Sequence, residues 1–140
     1  MQTRRDFIKN SCVACMGLSA FAQILASCGT TQSVVKPTLV QNFLSVPLAQ
    51  FASTPTAILR HQQLEYDILV VKQENEFTAL QMRCTHNDIA LTFSGKKLIC
   101  QAHGSEFDLK GQVTKAPAAA NLHTYRTSVK DSQLIIHLNS

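Results

Sequence analysis

Two pairs of cysteine and histidine are the residues best suited to chemistry in this chain. Cys84 and His86 form a C-x-H pair, and Cys100 and His103 form a C-x-x-H pair. Thiolates and imidazoles at such short spacing are typical metal ligands. Two of each suit a single tetrahedral zinc ion, or a [2Fe–2S] cluster in which histidines replace cysteines on one iron. The residue types by themselves leave both kinds of site open.

The residues around the second pair narrow this choice. His103 is followed by the pattern G-S-x-F-D at residues 104–108, and thirteen residues separate the two pairs. The whole pattern, C-x-H, a spacer of hairpin length and C-x-x-H-G-S-x-F-D, resembles the motif of the Rieske iron–sulfur proteins. The stretch from Gly111 to Tyr125 is also similar to the family's sequence after the second pair. The resemblance covers residues 39 to 138.

The resemblance implies one Rieske [2Fe–2S] cluster and a role for each residue near it. Cys84 and Cys100 would hold the inner iron as thiolates, and His86 and His103 would hold the outer iron as imidazoles. Ser105 would donate a hydrogen bond to a bridging sulfide. The resemblance further implies that the two imidazole edges face solvent, so that electrons enter and leave through them.

Three residues differ from those of high-potential family members, and a fourth differs from a residue that is common in the family. Ile89 and Ala102 stand where those members have two cysteines joined in a disulfide, and Phe107 stands where they have a tyrosine that donates to a ligand sulfur. Asp88 replaces a common glycine and adds a carboxylate, which would favour the oxidised form. Since hydrogen bonds to cluster sulfur favour the reduced form, we expect a midpoint potential below roughly +100 mV, in the lower half of the family range.

The N-terminal residues indicate an export signal rather than part of the fold. Residues 3–9 match the twin-arginine pattern, and an apolar run from Cys12 to Leu25 follows. That run is short for a membrane span, which needs about twenty residues. It ends in a sequence that resembles a bacterial lipobox, in which Cys28 would be lipidated after cleavage. An uncleaved signal anchor is the alternative.

These features divide the chain into three parts. We expect residues 1–27 to be the cleaved twin-arginine signal, residues 28–38 to be the lipidated N-terminus and a flexible tether, and residues 39–140 to be one Rieske domain. Because the twin-arginine route exports folded proteins, a cluster could be inserted before export. The predicted location is the periplasmic or outer face of the cell membrane.

Without the signal ten basic and eight acidic residues remain, too small an excess to indicate nucleic acid binding.

The cysteine count agrees with a metal site. Of the five cysteines, Cys12 and Cys15 lie in the signal and Cys28 would carry lipid, which leaves Cys84 and Cys100. These two could form a disulfide instead, because exported proteins favour disulfides. A disulfide does not explain why a histidine follows each cysteine by two or three residues, so metal binding is the better interpretation.

From residue 39 onward the sequence has the pattern of short strands separated by turns. The predicted strands cover residues 39–46, 56–60, 66–72, 77–83, 89–93, 97–101, 112–115, 124–130 and 134–138. Such a series predicts an all-β sandwich or small barrel. The resemblance implies a Rieske-type antiparallel β-sandwich with a projecting cluster-binding hairpin, which would turn at Ser94-Gly95.

The expected function is one-electron transfer by an exported, membrane-tethered protein. Its partner would be a redox protein or a membrane oxidoreductase complex, and the chain would be an electron carrier rather than an enzyme alone. One alternative is a Rieske subunit of a quinol-oxidising or molybdenum oxidoreductase complex. Another is a zinc-binding structural or interaction module. The chain has no room for a second domain with a mononuclear iron site, which argues against a self-contained oxygenase.

Overall fold

The computed structural model describes residues 32–139 as a β protein. Within that range there are twelve strands and one 3₁₀ turn, Leu48–Phe51. The strands are β1 Val34–Val35, β2 Thr38–Val40, β3 Phe43–Pro47, β4 Thr56–Leu59, β5 Ile68–Gln73, β6 Glu76–Gln81, β7 Thr92–Phe93, β8 Leu98–Ile99, β9 Glu106–Phe107, β10 Val113–Lys115, β11 Thr124–Lys130 and β12 Gln133–His137. The predicted all-β class is confirmed. Across the same range no helix is both long and apolar enough to span a membrane.

The strands form one large sheet and one small sheet. The large sheet has the order β1-β4-β5-β6-β11-β12-β3-β2, and the small sheet has the order β10-β9-β8-β7. Strand β11 pairs with β6 at Thr124 and Tyr125 and with β12 from Arg126 onward. This change of partner lets the large sheet curl, so that β3 and β12 pack over β4, β5 and β6. The small sheet carries the hairpin of β7 and β8.

Two hydrophobic cores lie on opposite faces of strands β4 to β6. Along β5, Ile68 and Val70 belong to the core inside the curled sheet, whereas Leu69 and Val71 belong to the core beneath the small sheet. Successive side chains of a strand point to opposite faces, so a strand covered on both faces must be apolar at every position. This explains the unbroken Ile-Leu-Val-Val run and makes β5 a rigid platform under the hairpin.

The N-terminal edge of the domain differs from the prediction. Residues 32–38 were expected to belong to a flexible tether, but Val34–Val35 form a strand that pairs in parallel with β4. The Gln32 side chain also donates a hydrogen bond to the Phe93 carbonyl. The domain therefore begins before residue 39, and the parallel β1–β4 pair departs from a purely antiparallel sheet. The predicted signal and Cys28 lie outside the described residues.

The predicted strands differ from the observed ones in the first hairpin and in the small sheet. The predicted strand 39–46 is a β2–β3 hairpin that reverses at Gln41, whose φ is +52°. Strand β9 was missed, because two residues are too few to show an alternating pattern. The predicted hairpin turn is confirmed: the Ser94 amide donates to the Lys97 carbonyl at 3.0 Å, and Gly95 has a φ of +88°.

Replacing Gly111 by alanine should destabilise the domain more than the same change at Gly95. Both glycines have positive φ, but an added Cβ at Gly111 would lie 2.9 Å from Leu80 Cδ2, whereas at Gly95 it would meet nothing within 4 Å. We expect Gly95→Ala to cost about 1 kcal/mol for backbone strain and Gly111→Ala about 1–3 kcal/mol more for overpacking. Urea unfolding followed by circular dichroism measures both. Equal losses would contradict the packing at Gly111.

Candidate metal centre

Two loops at one end of the small sheet carry the four predicted ligands. The first ligand loop is residues 84–88, which lead from β6 towards β7, and the second is residues 100–104, between β8 and β9. The β7–β8 hairpin connects them by turning at Ser94-Gly95, so residues sixteen positions apart in sequence reach the same end of the sheet.

The two loops share one backbone hydrogen-bond pattern. The Cys84 carbonyl accepts from the amide four residues later at 2.9 Å, and the Cys84 amide donates to the carbonyl five residues later at 2.8 Å. The Cys100 carbonyl and amide make the equivalent bonds, both at 2.9 Å. Each loop is thus a tight turn that closes at its cysteine, which fixes the direction of each sulfur.

The two turns differ in the residue that adopts the left-handed backbone conformation. In the second ligand loop this residue is Gly104, with a φ of +78°, and in the first it is Asp88, with a φ of +50°. A non-glycine residue pays roughly 1–2 kcal/mol in this region, although aspartate tolerates it better than most residues. The turn at Asn87-Asp88 therefore has more backbone strain than the turn in the second loop.

The thiols of Cys84 and Cys100 lie side by side in the interior. Both residues have no exposed surface, both are free thiols, and their side chains hydrogen-bond to each other. Burial raises the pKa of the Cys100 thiol, but hydrogen bonds from the backbone at Ala102 and His103 and from Cys84 together lower it below its ordinary value. This environment favours the thiolate, which is the form that binds metal.

The imidazoles of His86 and His103 form a second pair at the surface. Their ring centroids are 5.0 Å apart with an interplanar angle of 89°, and both side chains are exposed. The donors are thus arranged as a buried sulfur pair and an exposed nitrogen pair. Two unlike pairs fit a [2Fe–2S] cluster whose irons have different ligands.

A third loop, residues 116–121, anchors both ligand loops. The hydroxyl of Ser105, which is fully buried, accepts a hydrogen bond from the Ala118 amide at 3.0 Å. The Thr85 hydroxyl donates to the Ala120 carbonyl at 2.6 Å. Because it accepts in this bond, the Ser105 hydroxyl keeps its own proton available for another acceptor. Sequence reasoning identified Ser105 but missed Thr85, because no spacing rule connects residues 85 and 120.

Three residues stand where high-potential family members have a disulfide and a tyrosine, and their surroundings differ. Phe107 is fully buried in the same core as both cysteines, and Ile89 is partly buried against that core. Ala102 is exposed at the turn of the second loop. None of the three has a side-chain hydrogen-bond donor, so this part of the sulfur environment is apolar.

An ion pair flanks the first ligand loop. Arg83 Nε and Nη2 lie 2.8 and 2.5 Å from Asp88 Oδ1, and the Tyr66 hydroxyl donates to the Asp88 carbonyl at 2.7 Å. The hydrogen bond and charge of Asp88 raise the pKa of Arg83. The sequence predicts that Asp88 places a negatively charged carboxylate near the site. The structure shows that Arg83 offsets this charge.

A second charged group flanks the other loop. Glu106 lies between Lys97, at 2.5 Å, and Lys115, at 3.7 Å. The Lys97 hydrogen bond lowers the pKa of Glu106 against the effect of burial, and the charges of both lysines lower it further. Lys115 Nζ is also 4.0 Å from where a Cβ on Gly104 would stand, so this group reaches the second ligand loop.

Comparisons with known proteins agree with this geometry. A family model described as the Rieske [2Fe-2S] domain matches residues 47–126. The cytochrome b6-f complex iron-sulfur subunit of Trichodesmium erythraeum is 34% identical over 80 residues, which are 53% of this chain and 45% of that protein. The corresponding subunit of Prochlorococcus marinus is 29% identical over 72 residues, which are 49% of this chain and 40% of that protein. The chain therefore spans less than half the length of these curated relatives.

Solved structures show the same fold. The plasma membrane Rieske protein PetC3 from Synechocystis PCC 6803 superposes with a TM-score of 0.54 at 26% identity, covering 64% of this chain and 93% of that one. A chain from the oxygenase–ferredoxin complex of carbazole 1,9a-dioxygenase also has a TM-score of 0.54, at 19% identity, covering 71% of this chain and 95% of that one. The predicted sandwich with its projecting hairpin is confirmed.

Replacing Glu106 by glutamine should reduce the acid sensitivity of the domain. Because the folded-state pKa of Glu106 is lowered, its ionised form stabilises the fold above the unfolded-state pKa, and this contribution is lost as pH falls through the folded-state pKa. We expect Glu106→Gln to lower the urea midpoint at pH 7 and to converge with the wild type near about pH 3. Glu76→Gln, at the exposed start of β6, is the control. A constant difference at both pH values would contradict the linkage.

Proposed function

The chain belongs to the Rieske [2Fe–2S] family, and on this basis we propose that it is a one-electron transfer protein whose cluster is held by Cys84, Cys100, His86 and His103. The observation that supports this most directly is that the same two loops carry a buried thiol pair and an exposed imidazole pair. When bound, a Rieske cluster accepts and returns a single electron at a higher potential than an all-cysteine cluster.

The residues of the site have separate tasks in this proposal. Cys84 and Cys100 bind from the water-free side, since neither has exposed surface. His86 and His103 would bind from the solvent side, and their exposed edges would give a partner protein access to the cluster. Ser105, oriented by the Ala118 amide, donates its remaining proton towards cluster sulfur. The loops hold these donors in place, so little rearrangement accompanies electron transfer.

The N-terminal sequence adds a location to this proposal. We propose that residues 1–27 direct twin-arginine export and that lipid on Cys28 tethers the protein to the outer, periplasmic face of the cell membrane. The support is the sequence pattern, because these residues precede the described part of the chain. With β1 packed on the domain, only the few residues between Cys28 and Gln32 would separate the lipid from the folded part. The cluster would then stay close to the membrane surface.

The partner is proposed to be a redox protein or a membrane oxidoreductase complex. The curated relatives are named as iron–sulfur subunits of the cytochrome b6-f complex, which favours the second kind of partner. Ile89 and Ala102, which replace the disulfide of high-potential family members, favour a lower-potential partner than a quinol-oxidising complex. Purification under mild detergent distinguishes a separate redox protein from a membrane complex as the partner. A subunit of a complex would co-purify with a cytochrome b or a large oxidoreductase subunit.

The purified protein should contain iron and acid-labile sulfide in equal amounts and show a Rieske-type electron paramagnetic resonance signal after dithionite reduction. Cys84→Ala and His103→Ala should each abolish the signal, because each removes one donor. His123→Ala is the matched control: His123 is an exposed histidine whose ring contacts Tyr125, and it should keep the signal. Zinc without sulfide would instead support the structural module.

The midpoint potential should lie below roughly +100 mV, because Phe107 supplies no hydrogen bond to sulfur. Ser105→Ala should lower it further, since the buried hydroxyl is the remaining side-chain donor proposed for cluster sulfur. Ser94→Ala, at the far turn of the hairpin, should leave the potential unchanged. Redox titration measures all three. A wild-type midpoint above roughly +250 mV would be inconsistent with this assignment.

A further inference from the structure

We propose that Arg83, Asp88 and Tyr66 form a latch that holds the first ligand loop in its metal-binding conformation and keeps the charge beside it balanced. Arg83, Asp88 and Tyr66 are positioning residues in this view, because they act through the loop that carries Cys84 and His86. The inference rests on the proposed function, since it concerns how firmly the cluster is held.

The first ligand loop needs an interaction that the second does not. Both loops close with the same backbone hydrogen bonds and both require a left-handed residue. Gly104 meets that requirement in the second loop without steric cost, whereas Asp88 meets it in the first with a side chain present. A side-chain interaction at Asp88 is therefore well placed to stabilise the strained conformation.

Asp88 is held at both its side chain and its main chain. Arg83, which comes just before the loop and whose backbone bridges to Ala90, approaches the carboxylate through two nitrogens. Tyr66, from the connection between β4 and β5, donates to the carbonyl of Asp88. The guanidinium carbon of Arg83 also lies 5.9 Å from the centre of the Tyr66 ring. The three residues contact one another as one unit.

The latch and the third loop hold opposite ends of the first ligand loop. Thr85, one residue before His86, is bonded to the Ala120 carbonyl, and Asp88, two residues after it, is bonded to Arg83 and Tyr66. His86 lies between two anchored residues although its own ring is exposed. Release of either anchor should therefore loosen the imidazole more than it weakens the buried core.

Breaking the latch should also shift the midpoint potential, in a direction that depends on which charge is removed. Arg83→Gln leaves the Asp88 carboxylate unbalanced two residues from His86, and this negative charge disfavours the addition of an electron. Asp88→Asn leaves the Arg83 guanidinium unbalanced, and this positive charge favours it. The two variants should shift the midpoint potential in opposite directions. A loss of packing alone would not produce shifts of opposite sign.

The test compares five variants of the full chain with the wild type: Arg83→Gln, Asp88→Asn, Asp88→Gly, Tyr66→Phe and Arg60→Gln. Arg60 forms an exposed ion pair with Asp67 at 2.7 Å, in the connection that contains Tyr66. Since this pair includes no residue of the first ligand loop, Arg60→Gln controls for the loss of an exposed Arg–Asp pair. Cluster release to an iron chelator is followed by visible absorbance, and midpoint potentials are measured by redox titration.

We expect Arg83→Gln and Asp88→Asn to release the cluster about two- to five-fold faster than the wild type, the range for loss of an exposed ion pair. Tyr66→Phe should accelerate release as well, and Arg60→Gln should not. About 1 M salt, where screening acts over roughly 3 Å, should speed release from the wild type but not from Arg83→Gln. Arg83→Gln should lower the midpoint and Asp88→Asn should raise it.

Asp88→Gly separates the effect of backbone strain from that of the ion pair. Glycine adopts the left-handed conformation readily, but it cannot pair with Arg83. Release from Asp88→Gly as slow as from the wild type would show that the backbone conformation suffices, and would overturn the latch. Equal release rates for Arg83→Gln, Arg60→Gln and the wild type would also overturn it, as would midpoint shifts of the same sign. A wild-type protein without any iron–sulfur cluster would overturn the proposed function, and the latch with it.

Discussion

The side-by-side burial of two thiols is the arrangement on which the rest of this structure depends. Cys84 and Cys100 come from different loops, have no exposed surface and hydrogen-bond to each other. Thiolates in such a place would repel each other and lose hydration, so backbone hydrogen bonds and a bound metal must offset both costs. The tight turn at each cysteine and the hairpin between them serve to bring the sulfurs together with donors already aimed at them.

The large sheet makes this arrangement rigid. The two cysteines belong to the same core as Leu69, Leu80 and Met82, on the outer face of the central strands, while a second core fills the inner face. Because close-packed interiors resist small displacements, the sulfur positions are set by the packing of the whole domain rather than by the loops alone. The imidazole positions lie outside this core and depend on polar contacts at the surface.

Those surface contacts are individually weak and act together. An exposed ion pair contributes about 0–1 kcal/mol, so neither Arg83–Asp88 nor Lys97–Glu106 alone would hold a loop. Their position matters more than their number: one flanks each ligand loop, and the third loop is bonded to both loops through Thr85 and Ser105. The two cysteine sulfurs are thus held by core packing. The two imidazoles depend on polar contacts at the surface.

The sequence by itself determined the all-β class, the hairpin turn at Ser94-Gly95, and the cysteine–histidine pair on each ligand loop, because each depends on short-range patterns. Alternating side chains, a glycine at a turn and a histidine close to a cysteine can all be recognised within a few residues. Strands of two residues, such as β1 and β9, carry too little pattern to be recognised in this way.

Only the tertiary structure decided the partners of the ligand loops. The bonds from Thr85 to Ala120, from Ala118 to Ser105 and from Tyr66 to Asp88 join residues 35, 13 and 22 positions apart, and no spacing rule predicts them. The sequence also did not predict the Arg83–Asp88 ion pair, although the two residues are close in sequence. Whether two side chains meet depends on how the chain folds around them, since side-chain direction is set by backbone conformation and by packing against distant strands.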